Sequence, residues 1–156
     1  MIEFRPVAES DLPRLRVWLE REHVSAWWRD ERAERHLDPN EHFIIELEGQ
    51  PVGMIQTYLV DGYPDWKAVV GDEPDLAGVD LFIGEEDLVG RGHGPRVLEQ
   101  FAREIVFARE GTVAVIATIE EGNRRSWRAF EKAGFRHVRD VEEEGRPHRL
   151  MRLDRS

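Results

Sequence analysis

The sequence contains no cysteine among its 156 residues, which excludes disulfide bonds, thiolate metal sites and a cysteine nucleophile. No apolar run approaches the length of a membrane span, so neither a membrane-spanning helix nor a membrane partner is expected. The N-terminal residues lack the basic and apolar regions of a secretory signal peptide. Together with the length, these absences predict a cytoplasmic protein with one domain over residues 1–156.

Basic residues are also in deficit, since 22 lysines and arginines stand against 32 aspartates and glutamates, for a formal net charge of −10. This charge disfavours a nucleic-acid partner, because binding a phosphate backbone requires positive surface. It is compatible with a cationic substrate that the electrostatic field attracts, and equally with a role in solubility alone. The histidines are dispersed without metal-ligand spacing, and no metal is expected.

The most informative stretch of the chain begins with a β-branched and aromatic run at residues 79–83, which predicts a strand. Gly90, Gly92 and Gly94 then alternate, and the residues that follow carry apolar side chains with the period of a helix. Glycines let main-chain N–H groups approach a ligand, and the helix contributes the positive end of its dipole. The pattern predicts a phosphate or pyrophosphate site to which Arg91 adds a charged contact, with a simple connecting turn as the alternative.

The glycine loop matches neither of two common nucleotide motifs, because no Lys-Ser/Thr pair follows it and its spacing is G-x-G-x-G. Residues 89–94 instead resemble the acetyl-CoA pyrophosphate loop of the GNAT N-acetyltransferase superfamily, although Val89 stands where Gln or Arg is usual. A second block, residues 123–135, is similar to the superfamily signature N-x-x-(A/S)-x-x-x-(Y/F)-E-K-x-G-F. The two blocks have the order and separation that this superfamily shows.

Other residues narrow the resemblance. The Trp27-Trp28 pair, Gln56, the Asp65-Trp66 segment and Gly78-Val79-Asp80 look like the corresponding parts of aminoglycoside 6′-N-acetyltransferases, and the likeness covers nearly the whole chain. The acyl-CoA-dependent acyltransferases of siderophore assembly share much of this pattern, including the tryptophan pair. The sequence does not separate these two groups.

The expected fold is α/β (α+β by some conventions): a GNAT-like mixed, mostly antiparallel twisted sheet with helices on both faces, in the order β-α-α-β-β-β-α-β-α-β-β. From the residue patterns we predict a helix or helical turn over residues 23–35 and a helix over residues 94–109. Residues 61–77 are predicted to form an acidic, aromatic loop, which is either a substrate contact or a solvated surface segment. Asn123 is the predicted N-cap of the last helix.

The predicted catalytic residue is Asp80, because a carboxylate inside an apolar strand is costly unless it is paired. A position facing water at the strand end is the alternative. The resemblance places the aminoglycoside-binding carboxylate here, where it takes the amine proton, directly or through water. The tryptophans at 27 and 28 point in different directions on a helix, so one can join the core while the other lines a cleft. The predicted substrate-binding set is Trp27, Gln56, Asp65, Asp80 and Glu120.

The resemblance also implies a cofactor site for acetyl-CoA. The main chain at Ile83 and Gly84 is expected to polarise the thioester, and the glycine loop to hold the pyrophosphate. Phe130 stands where many superfamily members place a tyrosine that acts as general acid; phenylalanine cannot donate a proton, so no acid is assigned. The predicted cofactor-binding residues are Ile83, Gly84, Val89, Gly90, Arg91, Gly92, His93, Gly94, Pro95, Asn123, Ser126 and Phe130.

The function that these observations predict is acetyl-CoA-dependent N-acetylation of a primary amine on a polycationic small molecule, foremost the 6′-amine of aminoglycosides. The resemblance implies direct transfer in a ternary complex, by a monomer or a homodimer. Two alternatives stay open: a siderophore-type lysine or hydroxylysine N-acyltransferase, and a non-catalytic acyl-CoA-binding sensor, which the phenylalanine at position 130 keeps open.

Overall fold

The computed structural model describes all of residues 1–156 and contains one seven-stranded sheet. The strands are β1 Ile2–Pro6, β2 His42–Leu47, β3 Gln50–Leu59, β4 Leu76–Ile83, β5 Ala114–Glu120, β6 Arg136–Glu143 and β7 Arg146–Asp154. The helices are α1 Leu12–Glu20, α2 Glu22–Ser25, α3 Pro64–Val70, α4 His93–Phe101 and α5 Arg124–Lys132. Short 3-10 turns lie at Glu9–Asp11, Ala33–His36, Val60–Gly62 and Glu86–Leu88, and a π-helical turn, Ala102–Val106, continues α4.

The strand order in the sheet is β1-β2-β3-β4-β5-β7-β6. The pairs β1–β2, β2–β3, β5–β7 and β6–β7 are antiparallel, whereas β4–β5 is parallel. The parallel register runs from Leu76↔Ala114 to Gly78↔Ile116, so it ends well before either strand does. The expected mixed, mostly antiparallel sheet is confirmed.

One prediction about the helices was wrong, and another is confirmed only as a helical turn. Within residues 61–77, which we expected to be irregular, Pro64–Val70 forms α3, because Pro64 suits the first turn and Gly71 ends the helix at φ 122°. Residues 23–35 do not form one continuous helix. They contain only the end of α2 and most of the Ala33–His36 turn, separated by Asp30, whose φ of 56° no α-helix accommodates.

The chain forms two compact units, each with its own core. The first comprises Met1–Gln56 and Asp80–Arg91, and α1 contributes to it because its apolar residues recur at helical spacing. Trp18 is fully buried in this unit and contacts Phe82 edge to face. The buried core residues of the unit are Val7, Leu15, Trp18, Leu19, Val24, Ala33, Ile44, Met54 and Phe82.

The second unit comprises Thr57–Val79 and Gly92–Ser156. Its alternating strand residues and the last turn of α3 bury one apolar cluster, against which Tyr58, Trp66 and Val69 pack. The buried residues of that cluster are Val60, Val70, Leu76, Ala114, Ile116, Val141 and Leu150. None of the helices combines the length and the apolar character needed to cross a membrane.

Candidate functional site

The carboxyl end of β4 is covered by a tryptophan of α1. A Cβ atom built on Gly84 would lie 2.2, 2.3 and 2.4 Å from three carbon atoms of the Trp18 indole, so only glycine fits beneath the ring. The indole Nε1 donates a hydrogen bond of 2.6 Å to the carboxylate of Glu85. This bond, followed by one from Arg21, holds the pKa of Glu85 below its ordinary value.

Two side chains that follow α1 bind main-chain carbonyls at the same strand end. Arg21 donates from Nη1 to the carbonyl oxygen of Gly84 at 2.8 Å, and to Glu85 at 3.2 Å. The ring nitrogen Nε2 of His23 lies 2.9 Å from the carbonyl oxygen of Ile83. The end of β4 is therefore held by side chains rather than only by neighbouring strands.

The two residues predicted to polarise a thioester differ in what their N–H groups do. The N–H of Gly84 donates to the carbonyl of Val52 in β3 at 2.8 Å. The carbonyl of Phe82 also faces β3, since a Cβ on Gly53 would lie 2.2 Å from it. Main-chain groups of successive strand residues point to opposite edges, so the N–H of Ile83 points away from β3. The N–H of Ile83, unlike that of Gly84, is therefore not directed at β3.

The predicted catalytic carboxylate is paired with a neighbouring strand. Gln56 of β3 donates from Nε2 to Asp80 Oδ2 at 3.0 Å, and Asp80 is half-buried. The other amide atom, Oε1 of Gln56, is buried and has no hydrogen-bond partner. An unsatisfied buried acceptor beside a carboxylate suits a ligand that donates hydrogen bonds, as an ammonium ion does.

The side chains of the two adjacent tryptophans point in different directions, as expected. Trp28 packs on the core of the first unit, with its ring edge to face against Phe82 at a centroid distance of 5.1 Å. Trp27 is 38% exposed, and the guanidinium of Arg29 lies 5.8 Å from its ring centroid. Trp27 is thus the member of the pair that is available to a ligand.

In the second unit, the glycine loop leads directly into a helix. Gly92 is the N-cap of α4, with φ 83°, and nothing lies within 4 Å of a Cβ built on it. Gly94 packs against Ala129 of α5, where a Cβ would lie 3.4 Å from the alanine Cβ. No side chain caps α4, and Nδ1 of His93 is buried without a partner. The free N–H groups and the open glycine position fit an anionic group such as a pyrophosphate.

The second predicted block forms α5. Asn123 occupies the N-cap position as predicted, and its carbonyl accepts bonds from the N–H groups of Ser126 and Trp127. Its side chain, however, makes no capping hydrogen bond, because the backbone at φ −87° and ψ 63° is not extended. Phe130 is buried and packs edge to face on Phe135 at 5.0 Å.

Two predicted substrate residues belong to the second unit. Asp65 is exposed in the first turn of α3, and Glu120 is half-buried at the end of β5. Near that strand end, the hydroxyl of Thr118 donates a hydrogen bond of 2.9 Å to the carboxylate of Glu143. Sequence reasoning missed Glu143 as a carboxylate at this end of β5. Glu143 lies in β6, 25 residues after Thr118 and with β7 between the two strands, so local spacing gives no signal for the contact.

Sequence reasoning also missed Arg21 and His23. Both follow a helix whose pattern shows only which face is apolar, and their partners lie about sixty residues later. No group of three or more histidine, aspartate or glutamate side chains is arranged to hold a metal ion.

The chain is similar to known proteins in both sequence and structure. The chain is 28% identical over 148 residues to aminoglycoside N(6′)-acetyltransferase type 1 of Klebsiella pneumoniae, covering 86% of this chain and 73% of that protein. The crystal structure of aminoglycoside acetyltransferase AAC(6′)-Ib in complex with coenzyme A superposes with a TM-score of 0.87 at 26% identity, over 99% of this chain and 95% of that one. The complex of AAC(6′)-Ib with paromomycin and acetyl-CoA gives a TM-score of 0.86 at 27% identity, over 99% and 93%.

A family model described as an acetyltransferase (GNAT) domain matches residues 7–143, which includes both the glycine loop and α5. The match spans most of the sheet and every helix described above. The chain therefore belongs to the GNAT acetyltransferase family.

Proposed function

We propose that this protein transfers the acetyl group of acetyl-CoA to the 6′-amine of an aminoglycoside, by direct attack in a ternary complex. The observation that carries the proposal is the structural match, over 99% of the chain, to aminoglycoside acetyltransferase AAC(6′)-Ib. The sequence match to the Klebsiella enzyme supports the same substrate class.

The proposed cofactor contacts use main-chain groups more than side chains. The N–H groups at the start of α4, with residues 89–95 around them, bind the pyrophosphate, because no side chain caps this helix. Asn123 and Ser126, at the start of α5, are available for further contacts, since neither side chain is used to cap the helix. Phe130 contributes a buried apolar surface and no proton.

Acetyl-CoA supplies its acetyl group as a thioester, whose carbonyl oxygen gains negative charge when an amine attacks the carbon. The N–H of Ile83 is the donor that we assign to this oxygen, since that of Gly84 is occupied by Val52. A donor held in place before the reaction stabilises developing charge without reorganising. Trp18, Arg21 and His23 supply that rigidity by holding the carboxyl end of β4.

The proposed acceptor contacts are acidic, polar and aromatic. Asp80 binds the cationic amine, and the hydrogen bond from Gln56 Nε2 orients its carboxylate. The free Oε1 of Gln56 accepts a further hydrogen bond from the substrate. Trp27 offers an exposed ring, and Asp65 and Glu120 add negative charge, which suits a polycation.

The test is release of free thiol from acetyl-CoA in the presence of kanamycin and ribostamycin, which carry a 6′-amine, and of paromomycin, which carries a 6′-hydroxyl. Spermidine, lysine and hydroxylysine complete the panel. We expect release with kanamycin and ribostamycin and a mass gain of one acetyl group. Thiol release only with lysine or hydroxylysine would contradict an aminoglycoside as substrate. No thiol release with any amine, while acetyl-CoA still binds, would contradict the enzymatic role.

A variant separates the acceptor contact from the cofactor contact. Asp80→Asn should retain acetyl-CoA binding and lose at least about a hundredfold in turnover, because the amide carries no charge and cannot take a proton. The exposed Asp72→Asn is the matched control and should match the wild type. Unchanged turnover in Asp80→Asn would remove Asp80 from the reaction.

A further inference from the structure

The α5 helix carries basic side chains that have no acidic partner. The side chains of Arg125 and Lys132 are exposed and make neither an ion pair nor a hydrogen bond. Elsewhere in the second unit cationic side chains are paired, as is Arg152, which binds the carboxylate of Glu73 through two nitrogens. In a chain with a formal net charge of −10, cations left without a carboxylate are unusual, and they are available to an anionic ligand.

The first turn of α5 places positive charge where the helix dipole disfavours it. Arg124 and Arg125 are the first two residues of this helix, and its first turn contains no acidic residue. The first turn of α4 contains no acidic residue either. Because the N-terminus of a helix is the positive end of its dipole, the cations at the start of α5 add to a positive field. An anion bound beside these groups would relieve the repulsion between them.

A close helix contact brings this charge to the start of α4. A Cβ atom on Gly94 would lie 3.4 Å from the Cβ of Ala129, so the first turn of α4 packs on the middle of α5. Arg125 precedes Ala129 by four residues and Lys132 follows it by three, which places both near the same face of α5. Along the helix axis they lie about 6 Å and about 4.5 Å from Ala129, distances that long side chains can span to reach the start of α4.

The other two basic side chains of α5 are directed elsewhere. The guanidinium carbons of Arg124 and Arg128 each lie 5.9 Å from the ring centroid of Trp127. An arginine at this distance from an indole ring is attracted to the ring face. The four cations of α5 therefore divide into two on the tryptophan and two, Arg125 and Lys132, without any partner.

We propose that Arg125 and Lys132 bind the 3′-phosphate of CoA, so that the protein distinguishes acetyl-CoA from its 3′-dephospho form. This proposal rests on the proposed function, in which the start of α4 binds the pyrophosphate. The 3′-phosphate of CoA is attached to the same ribose as the pyrophosphate, so a protein that binds one at α4 holds the other close by. A guanidinium binds two phosphate oxygens in parallel, and an ammonium adds a point charge.

The test compares the binding of CoA and of 3′-dephospho-CoA by calorimetry, without any turnover. The preference is the Kd of 3′-dephospho-CoA divided by that of CoA. We expect it to be at least about tenfold in the wild type, because hydrogen bonds between charged groups are lost with the phosphate. The double variant Arg125→Gln/Lys132→Gln should lower the preference to within about twofold, by weakening CoA and leaving 3′-dephospho-CoA unchanged.

The matched control removes the same charge from the same helix. Arg124→Gln/Arg128→Gln also loses two cations, but these lie over Trp127, and the variant should keep the preference of the wild type. The measurements are made at about 0.15 M salt, where exposed charges more than about 8 Å apart are largely screened, so that contact rather than net charge decides the result.

Steady-state kinetics with kanamycin supply a second readout. The 3′-phosphate contact is the same before and during acetyl transfer, so Arg125→Gln/Lys132→Gln should raise the KM for acetyl-CoA about tenfold and leave kcat unchanged. With 3′-dephospho-acetyl-CoA as donor, the variant and the wild type should have the same KM.

The outcomes distinguish this proposal from the proposed function. The proposal is wrong, while the function stands, if the wild type binds the two forms of CoA equally or if Arg125→Gln/Lys132→Gln keeps the preference. An equal loss of preference in the control variant also overturns it, because net charge would then explain the effect. A wild type that binds CoA but releases no thiol with any amine would instead contradict the proposed function, and the binding preference would still decide this proposal.

Discussion

Gly84→Ala tests whether the end of β4 is held as the structure indicates. The new methyl group would lie 2.2–2.4 Å from three ring carbons of Trp18, far inside van der Waals contact. The ring cannot simply withdraw, because it is fully buried and its Nε1 donates to Glu85 at 2.6 Å. Either the indole leaves its place or β4 moves away from α1.

The expected cost follows from the size of this conflict. Inserting a methyl group into a packed core typically costs about 1–3 kcal/mol. For Gly84→Ala we expect the upper end of this range, about 3 kcal/mol. The obstacle is a rigid ring, and the new methyl group would clash with three of its carbon atoms. The lower entropy of an alanine in the unfolded chain returns about 0.4–1 kcal/mol, which is too little to offset the clash.

Equilibrium unfolding in urea measures this cost. With a slope of about 2 kcal/mol per molar urea, a loss of 3 kcal/mol lowers the midpoint by about 1.5 M. Gly62→Ala is the matched control, since nothing lies within 4 Å of a Cβ at Gly62 and its φ is not positive. The control should stay within about 0.5 kcal/mol of the wild type.

A double-mutant cycle tests whether the Trp18 ring is the group that obstructs a methyl group at position 84. Trp18→Leu destabilises the protein alone, but adding Gly84→Ala to it should cost much less than adding it to the wild type, because the ring that obstructs the methyl group is gone. Additive effects of the two substitutions, or a Gly84→Ala variant as stable as Gly62→Ala, would refute the argument that the indole requires glycine at position 84.

Two other predictions concern stability. In urea unfolding, Gly53→Ala should be more destabilising than Gly78→Ala. The new Cβ at position 53 would lie 2.2 Å from the main-chain oxygen of Phe82, whereas at position 78 the obstacle is the far end of the partly exposed Tyr58 ring. The reverse order of stabilities would contradict this reasoning. Burial lowers the pKa of His42 below its usual 6.5, so the unfolded chain binds a proton more readily, and the free energy of unfolding should fall as the pH drops below about 6.5. His42→Gln should reduce this dependence of the unfolding free energy on pH. An unchanged pH dependence in the variant would contradict the role of His42.

Much of the sheet could be predicted because its signals are local. Alternating and β-branched runs indicated the seven strands in their correct order, and glycines ahead of an amphipathic segment indicated the loop before α4. The helix α3 was missed because it is only seven residues long and lies in a stretch interrupted by glycines and prolines. There, the proline at the first helical position was the usable signal.

The contacts that organise the candidate site could not be predicted, because they join residues distant in the chain. Gln56 was placed in the substrate-binding set by the family resemblance, but its hydrogen bond to Asp80 depends on the register of two strands. For Gly84, the family resemblance implied only a main-chain contact with the thioester. The structure shows instead that a tryptophan from α1 occupies the space of its missing side chain.

The two glycines that border the end of β4 allow its close contacts with Trp18 and with β3. Gly53 allows the carbonyl of Phe82 to approach β3 closely, and Gly84 allows Trp18 to lie flat on the strand. Between these two contacts lies Ile83, whose N–H group points away from β3. A larger residue at either glycine would force β4 or the group packed against it to shift, and catalytic groups tolerate such shifts poorly. Gly53→Ala and Gly84→Ala should therefore reduce turnover even under conditions in which both variants are fully folded.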